Sequence, residues 1–236
     1  MNANERLIVA LDVDTSQKAL GLVEKLKKDI KTFKIGSELF TSCGPGIVEE
    51  VRKKGCGVFL DLKFHDIPNT VEKSAIAATR LGAFIFNVHA LGGSEMMKRA
   101  GAAVAQEAKK LNINKPKVIA ITVLTSMDEN SLKKIGIDDN METQVLKLAK
   151  LAEGSGLDGV VASPAEVKLI RKNLGKDFLI VTPGVRPSWA AKGDQKRVAT
   201  PKEAIDNGAD FIVVGRPIIE AADPVEAAKR VLEEIG

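Results

Sequence analysis

The run Phe59-Leu60-Asp61-Leu62-Lys63-Phe64-His65-Asp66-Ile67-Pro68-Asn69-Thr70 sets one lysine between two carboxylates in a largely apolar stretch. A lysine that forms a Schiff base must be partly neutral, which needs burial or a cationic neighbour. Asp61 and Asp66 instead favour the ammonium form of Lys63, so the residue types point to a proton donor. A fixed cation beside a reacting carbon also stabilises a developing carbanion, while a close carboxylate disfavours a substrate carboxylate and favours its departure as CO₂. Such a cluster suits decarboxylation without a cofactor.

Two further charges belong with it. Asp12 closes the apolar run that begins at Leu7, and Lys34 lies inside a second apolar run. Short β-branched runs recur along the chain, each followed by an amphipathic stretch rich in Ala, Lys, Glu and Leu. The strands expected are Leu7–Val13, Thr32–Gly36, Val58–Lys63, Phe84–His89, Lys117–Leu124, Gly159–Ala162, Phe178–Thr182 and Phe211–Gly215. Helical spacing marks the intervening stretches, such as Gln17–Lys28, Val71–Leu81, Ser94–Leu111, Glu142–Glu153, Ala165–Asn173 and Pro224–Ile235, while Thr200-Pro201 opens a helix over Lys202–Asp206.

Eight strands alternating with eight helices predict an α/β fold, a (β/α)₈ TIM barrel that forms a single domain over residues 1–236. An open doubly wound sheet is the runner-up, but Asp12-Val13-Asp14-Thr15-Ser16 lacks the glycine-rich dinucleotide fingerprint. Strands of a closed parallel barrel are buried on both faces, so charges on them need a special reason. Here the charges collect at strand ends, where this fold builds active sites. Side-chain alternation puts Phe59, Asp61 and Lys63 on one face and Leu60 and Leu62 on the other.

The seventh strand exits through Thr182-Pro183-Gly184-Val185-Arg186-Pro187 and the eighth through Gly215-Arg216-Pro217-Ile218. Loops after these two strands often bind phosphate through backbone N–H groups and an arginine, so phosphate binding is expected opposite the charged cluster. The polar stretch from Ser188 to Ala199 is longer than an ordinary βα loop and resembles a lid, with Gln195 placed to contact a ligand. The two histidines are not expected to do chemistry. His89 shares a strand face with Asn87 and is expected to hydrogen-bond near the barrel mouth, and His65 to orient its loop. Asp12, Asp61 and Asp66 could together hold magnesium, but the interposed lysines oppose it, so no metal is expected.

Bulk properties narrow the class. The chain has 236 residues, 44% hydrophobic and 28% charged, enough for a full core without staples. Only Cys43 and Cys56 are present, which indicates neither a disulfide framework nor a zinc site and fits a reducing cytoplasm. Leu7–Leu11 is too short for a signal or membrane segment. The net charge of +4 comes from interspersed residues without a basic, aromatic-laced run, so neither nucleic acid nor membrane is an expected partner.

Taken together the motifs resemble those of the orotidine 5′-monophosphate decarboxylase family. The resemblance is carried in order by Val9-Ala10-Leu11-Asp12, Phe33-Lys34-Ile35-Gly36, Phe59 to Thr70, Asn87-Val88-His89-Ala90, Val123-Leu124-Thr125-Ser126, Thr182 to Pro187, Gly193-Asp194-Gln195 and Gly215-Arg216-Pro217-Ile218. The Asp-x-Lys-x-x-Asp core alone is shared with magnesium-dependent keto-sugar-phosphate relatives, and the flanking motifs supply the specificity.

The resemblance implies conversion of orotidine 5′-monophosphate to uridine 5′-monophosphate and CO₂ without a cofactor. It makes Lys63 the proton donor to C6, flanked by Asp61 and Asp66, with Lys34 holding Asp61 and with Asp12 and Lys34 on the ribose hydroxyls. Thr125 or Ser126 would meet the pyrimidine edge and Pro183 the base, while Arg186, Gln195, Gly215 and Arg216 would take the phosphate. The family pattern further implies a homodimer in which Asp66 and Thr70 serve the neighbouring subunit's site. Trp189 has no implied role.

Overall fold

The computed structural model describes residues 1–190 and 199–236. Eight parallel strands close a barrel in sequence order: β1 (Leu7–Ala10), β2 (Thr32–Gly36), β3 (Gly57–Phe64), β4 (Ile85–His89), β5 (Lys117–Ile121), β6 (Gly159–Val161), β7 (Leu179–Thr182) and β8 (Phe211–Val214), with β8 pairing back onto β1. The expected (β/α)₈ architecture is therefore the observed one.

Helices cover the outside. In chain order they are α1 (Ala3–Arg6), α2 (Ser16–Leu26), α3 (Ser37–Cys43), α4 (Gly46–Lys53), α5 (Pro68–Arg80), α6 (Gly93–Leu111), α7 (Glu129–Lys134), α8 (Met141–Gly154), α9 (Val167–Leu174), α10 (Pro201–Asp206), α11 (Arg216–Ile219) and α12 (Pro224–Ile235). Several open on the signals that the sequence advertises. Thr200 and Glu203 form a reciprocal capping box at α10, and Asp223 accepts from Val225 and Glu226 at the start of α12.

One helix per strand was too simple. The connection after β2 is two helices, α3 and α4, broken at Gly44-Pro45, where Gly44 takes a φ of +69°. A short α7 precedes α8, and α11 fills the turn after β8. The strands β1 and β5 also stop short, at Ala10 and Ile121 rather than Val13 and Leu124. Apolar sequence continues past both points, but the chain has left the hydrogen-bonded ladder to build the barrel mouth.

The strands bury two apolar faces. Leu7, Val9, Phe33, Ile35, Leu60, Phe86, Val88 and Ile212 point outward into the layer shared with the helices. Ile8, Ala10, Phe59, Ile85, Ile119, Ile121, Val161, Val181, Phe211 and Val213 fill the inside. Each such side chain contributes about 1.5–3 kcal/mol on burial, which explains why the strands read as unbroken apolar runs. Inward positions nearer the C-terminal mouth change character: above Ala10 stands Asp12, above Phe59 stands Asp61, and above Ile85 stands Asn87.

Candidate active site

The site is built on the mouth of this barrel, from strand ends whose inward side chains have become polar. Lys34, on β2, extends its ammonium between two carboxylates, 2.8 Å from Asp12 Oδ1 and 3.5 Å from Asp61 Oδ2. Lys63 Nζ lies 2.7 Å from Asp61 Oδ1. Asn87 Nδ2 donates to the same oxygen at 2.6 Å. The charges thus alternate from Asp12 through Lys34 and Asp61 to Lys63, so the two largely buried groups, Lys34 and Asp61, each have opposite partners, while Asp12 and Lys63 stay more open to solvent. Lys34 touches Asp12 more closely than the Asp61 it was expected to hold.

Glycines make room for this row. A Cβ on Gly36 would stand 3.0 Å from Lys34 Nζ, and one on Gly215 would stand 3.3 Å from Asp12 Oδ2. Both positions sit beside the Asp12–Lys34 pair, where a larger residue would press on the charged atoms.

Lys63 does not reach its place by simple strand alternation. The β3–β4 pairing shifts between Leu60 and Phe64, so that four steps along β3 match two along β4. Within this irregular stretch Lys63 adopts a φ of +53°, in the left-handed region. Its N–H leaves the ladder and donates to Asn87 Oδ1 at 2.8 Å. The expected contact of Asp61 with Lys63 exists, and a bulge rather than an even pleat delivers it. A non-glycine residue held in this conformation is a form of strain that concentrates at functional sites.

A cleft runs along the cluster. A cavity of about 170 Å³ is bordered by Lys34, Phe59, Asp61, Lys63, Thr125 and Pro183, among others. It shares Lys34, Pro183 and Val213 with a second cavity of about 130 Å³ that contains Asp12, Arg186, Gly215 and Arg216. Arg186 and Arg216 also border a third depression with Trp189. The cleft therefore has an apolar and hydroxyl-bearing end at Thr125, a charged middle, and a doubly cationic end at the loops after β7 and β8. That gradient fits an elongated ligand with an anionic terminus.

Of the residues singled out in the sequence, Asp12, Lys34, Asp61, Lys63, Thr125, Pro183, Arg186, Gly215 and Arg216 line this cleft. Ser126 is exposed and does not border the two cavities, so Thr125 is the hydroxyl residue that the fold brings in. Asp66 and Thr70 are exposed at the start of α5, and Asp66 accepts from the N–H of Ile67 at 2.6 Å. Among the described residues Lys63 forms an ion pair with Asp61 and none with Asp66. Gln195, with Gly193 and Asp194, lies outside the described residues. Lys34 lies between Asp12 and Asp61, and among the described residues no three acidic, histidine or cysteine side chains gather where they could hold a metal ion.

His89 departs from expectation. Its Nδ1 is buried with no hydrogen-bond partner among the described residues, and its ring instead stacks on His65 at 5.2 Å between centroids. Burial, followed by the nearby His65 and Lys63, holds its pKa below the usual histidine value. Trp189 acquires a structural contact: Arg230 of α12 lies 4.4 Å over its ring, and Ser188 Oγ donates to Glu234 at 2.9 Å, tying the loop after β7 to α12. Asn87 is the participant whose part sequence reasoning missed. The available signal was a carboxamide in an inward position of a barrel strand whose preceding inward residue, Ile85, is apolar.

Comparison with known proteins agrees with this geometry. Residues 5–231 match the family described as orotidine 5′-phosphate decarboxylase / HUMPS. A Trichlorobacter lovleyi protein named orotidine 5′-phosphate decarboxylase is 53% identical over 233 residues, covering 99% of this chain and 96% of that protein. One of the same name from Syntrophotalea carbinolica is 53% identical, covering 100% and 97%. The crystal structure of orotidine 5′-phosphate decarboxylase from Lactobacillus acidophilus superposes with a TM-score of 0.87 at 41% identity, over 98% of this chain and 99% of that one. A match over nearly the whole length, with relatives more than half identical, shows that the chain belongs to the orotidine 5′-phosphate decarboxylase / HUMPS family.

Proposed function

We propose that this chain is a carboxy-lyase that converts orotidine 5′-monophosphate to uridine 5′-monophosphate and CO₂, the last step of de novo pyrimidine synthesis, as one barrel domain in the cytoplasm and without a cofactor. The observation that carries this reading is the 2.7 Å pair of Lys63 with Asp61, set in a cleft that ends in Arg186 and Arg216. The phosphate is held at the arginine end with the backbone at Gly215, aided by Gln195. The ribose hydroxyls meet Asp12 and Lys34, the base packs on Pro183, and its amide edge meets Thr125. This orientation sets C6 beside Lys63 and the substrate carboxylate beside Asp61.

Binding at the remote phosphate forces the two carboxylates together, and that repulsion is relieved only as CO₂ leaves. The C6–carboxylate bond breaks, its electron pair remains on C6, and the Lys63 ammonium both stabilises that charge and supplies the proton. The neutral amine then regains a proton from solvent. Asp66 and Thr70, exposed at the start of α5, complete the site of a second copy in a homodimer.

Release of CO₂ from orotidine 5′-monophosphate in excess EDTA tests the reading. Turnover is expected to persist. Its loss would favour a magnesium-dependent keto-sugar-phosphate decarboxylase or synthase, and borohydride trapping of Lys63 with substrate would favour a Schiff-base aldolase. Binding of uridine 5′-monophosphate without CO₂ release would leave a non-catalytic nucleotide-binding barrel. Lys63→Ala should abolish turnover and retain nucleotide binding, because Lys63 does not border the cavity that contains the two arginines.

A further inference from the structure

We infer that Asn87 is a positioning residue for the decarboxylation, a clamp that fixes Lys63 at both ends. The inference rests on the proposed role of Lys63. Asn87 is wholly buried inside the barrel, directly below the charged row. Its Oδ1 accepts from the Lys63 N–H at 2.8 Å, and its Nδ2 donates to Asp61 Oδ1 at 2.6 Å, the oxygen that also holds Lys63 Nζ at 2.7 Å. One carboxamide therefore braces the lysine backbone directly and its ammonium through Asp61.

The need for it follows from the bulge. Because β3 and β4 lose register between Leu60 and Phe64, the Lys63 N–H has left the regular ladder, and the backbone there is held at a φ of +53°. Asn87 replaces the missing strand acceptor and keeps the strained turn from relaxing. The carboxamide has only one workable orientation. Turned over, its oxygen would face the Asp61 carboxylate and its NH₂ would face the Lys63 N–H. It also orients Asp61 without adding charge to a row that already alternates Asp12, Lys34, Asp61 and Lys63, with His89 two residues further along β4.

Asn87→Ala and Asn87→Asp separate this role from space-filling. In Asn87→Ala, kcat should fall on the order of ten- to a hundredfold, with uridine 5′-monophosphate affinity within about threefold of wild type. Asn87→Asp keeps the shape, but an ionised carboxylate cannot donate to Asp61, whereas a protonated one can donate to Asp61 and accept from Lys63. Its kcat relative to wild type should therefore rise as pH falls from about 8 to about 6, while the ratio for Asn87→Ala stays flat. A wild-type kcat in Asn87→Ala, or a flat ratio in Asn87→Asp, overturns the clamp. If Asn87→Ala does not fold, the isosteric Asp variant carries the test alone. Wild-type protein that releases no CO₂ sinks the decarboxylase reading by itself. The clamp is then read by NMR of ¹⁵N-labelled lysine: the Lys63 Nζ resonance must move in the Asn87 variants, and an unmoved resonance overturns it.

Discussion

Replacing Lys63 by glycine and by alanine should give two proteins without turnover whose order of stability is the reverse of the ordinary one. At a strand interior glycine is less stable than alanine by roughly 0.5–1 kcal/mol, because the unfolded chain has more freedom to lose. Lys63, however, sits at a φ of +53°. A side chain in that region costs about 1–2 kcal/mol, which alanine retains and glycine does not. Both variants lose the 2.7 Å pair with Asp61, so that loss cancels in the comparison. The difference leaves glycine more stable by between about 0 and about 1.5 kcal/mol. Urea unfolding of the two variants, at equal protein concentration and with matched m-values, measures it directly. An alanine variant more stable than the glycine variant by ~0.5 kcal/mol or more, the ordinary order, would refute the strained backbone and the account of the bulge with it.

Asp66→Ala and Lys63→Ala proteins, each inactive, should regain some turnover when mixed, since one of the two sites of a heterodimer then has both residues intact. No recovery after demonstrated subunit exchange would contradict the shared site. Thr125→Val should weaken uridine 5′-monophosphate binding by about tenfold through a lost hydrogen bond, whereas Ser126→Ala, exposed and off the cleft, should leave it nearly unchanged; isothermal titration distinguishes them. His89 has a pKa depressed below the ordinary histidine value of about 6.5, so as the pH falls the unfolded chain takes up the proton first. Its stabilising contribution is complete above about pH 6.5 and is lost as the pH drops below that toward the folded value. His89→Gln should therefore flatten the acid side of the stability–pH curve, and an unchanged slope by urea unfolding would show that His89 is not held neutral by the fold.

The repeating pattern of apolar strands and amphipathic helices determined a parallel α/β fold, because burial of parallel strands on both faces leaves an apolar rhythm, and eight repeats with no dinucleotide fingerprint after the first strand favoured the barrel over an open sheet. The row Asp12, Lys34, Asp61 and Lys63 was legible for the same reason: charges stand out against strands that should carry none. The two glycine–arginine turns after β7 and β8 were likewise visible, since the fold assigns the loops after those strands to a common end. Tertiary structure decided the rest. Whether Thr125 or Ser126 enters the cleft depends on how the chain turns after β5 stops at Ile121, and residue type alone could not distinguish two adjacent hydroxyls. By residue type and spacing alone Asp66 flanks Lys63 as Asp61 does, and only the family resemblance set it apart; in the fold it lies exposed beyond the bulge, without an ion pair to Lys63 among the described residues. His89 was expected to hydrogen-bond and instead stacks on His65, a neighbour supplied by the loop after β3. The part taken by Asn87 was hidden for the deepest reason. Its partners are a backbone N–H and a carboxylate on the next strand, and they meet it only because β3 slips by two residues against β4, a change of register that no local residue pattern records.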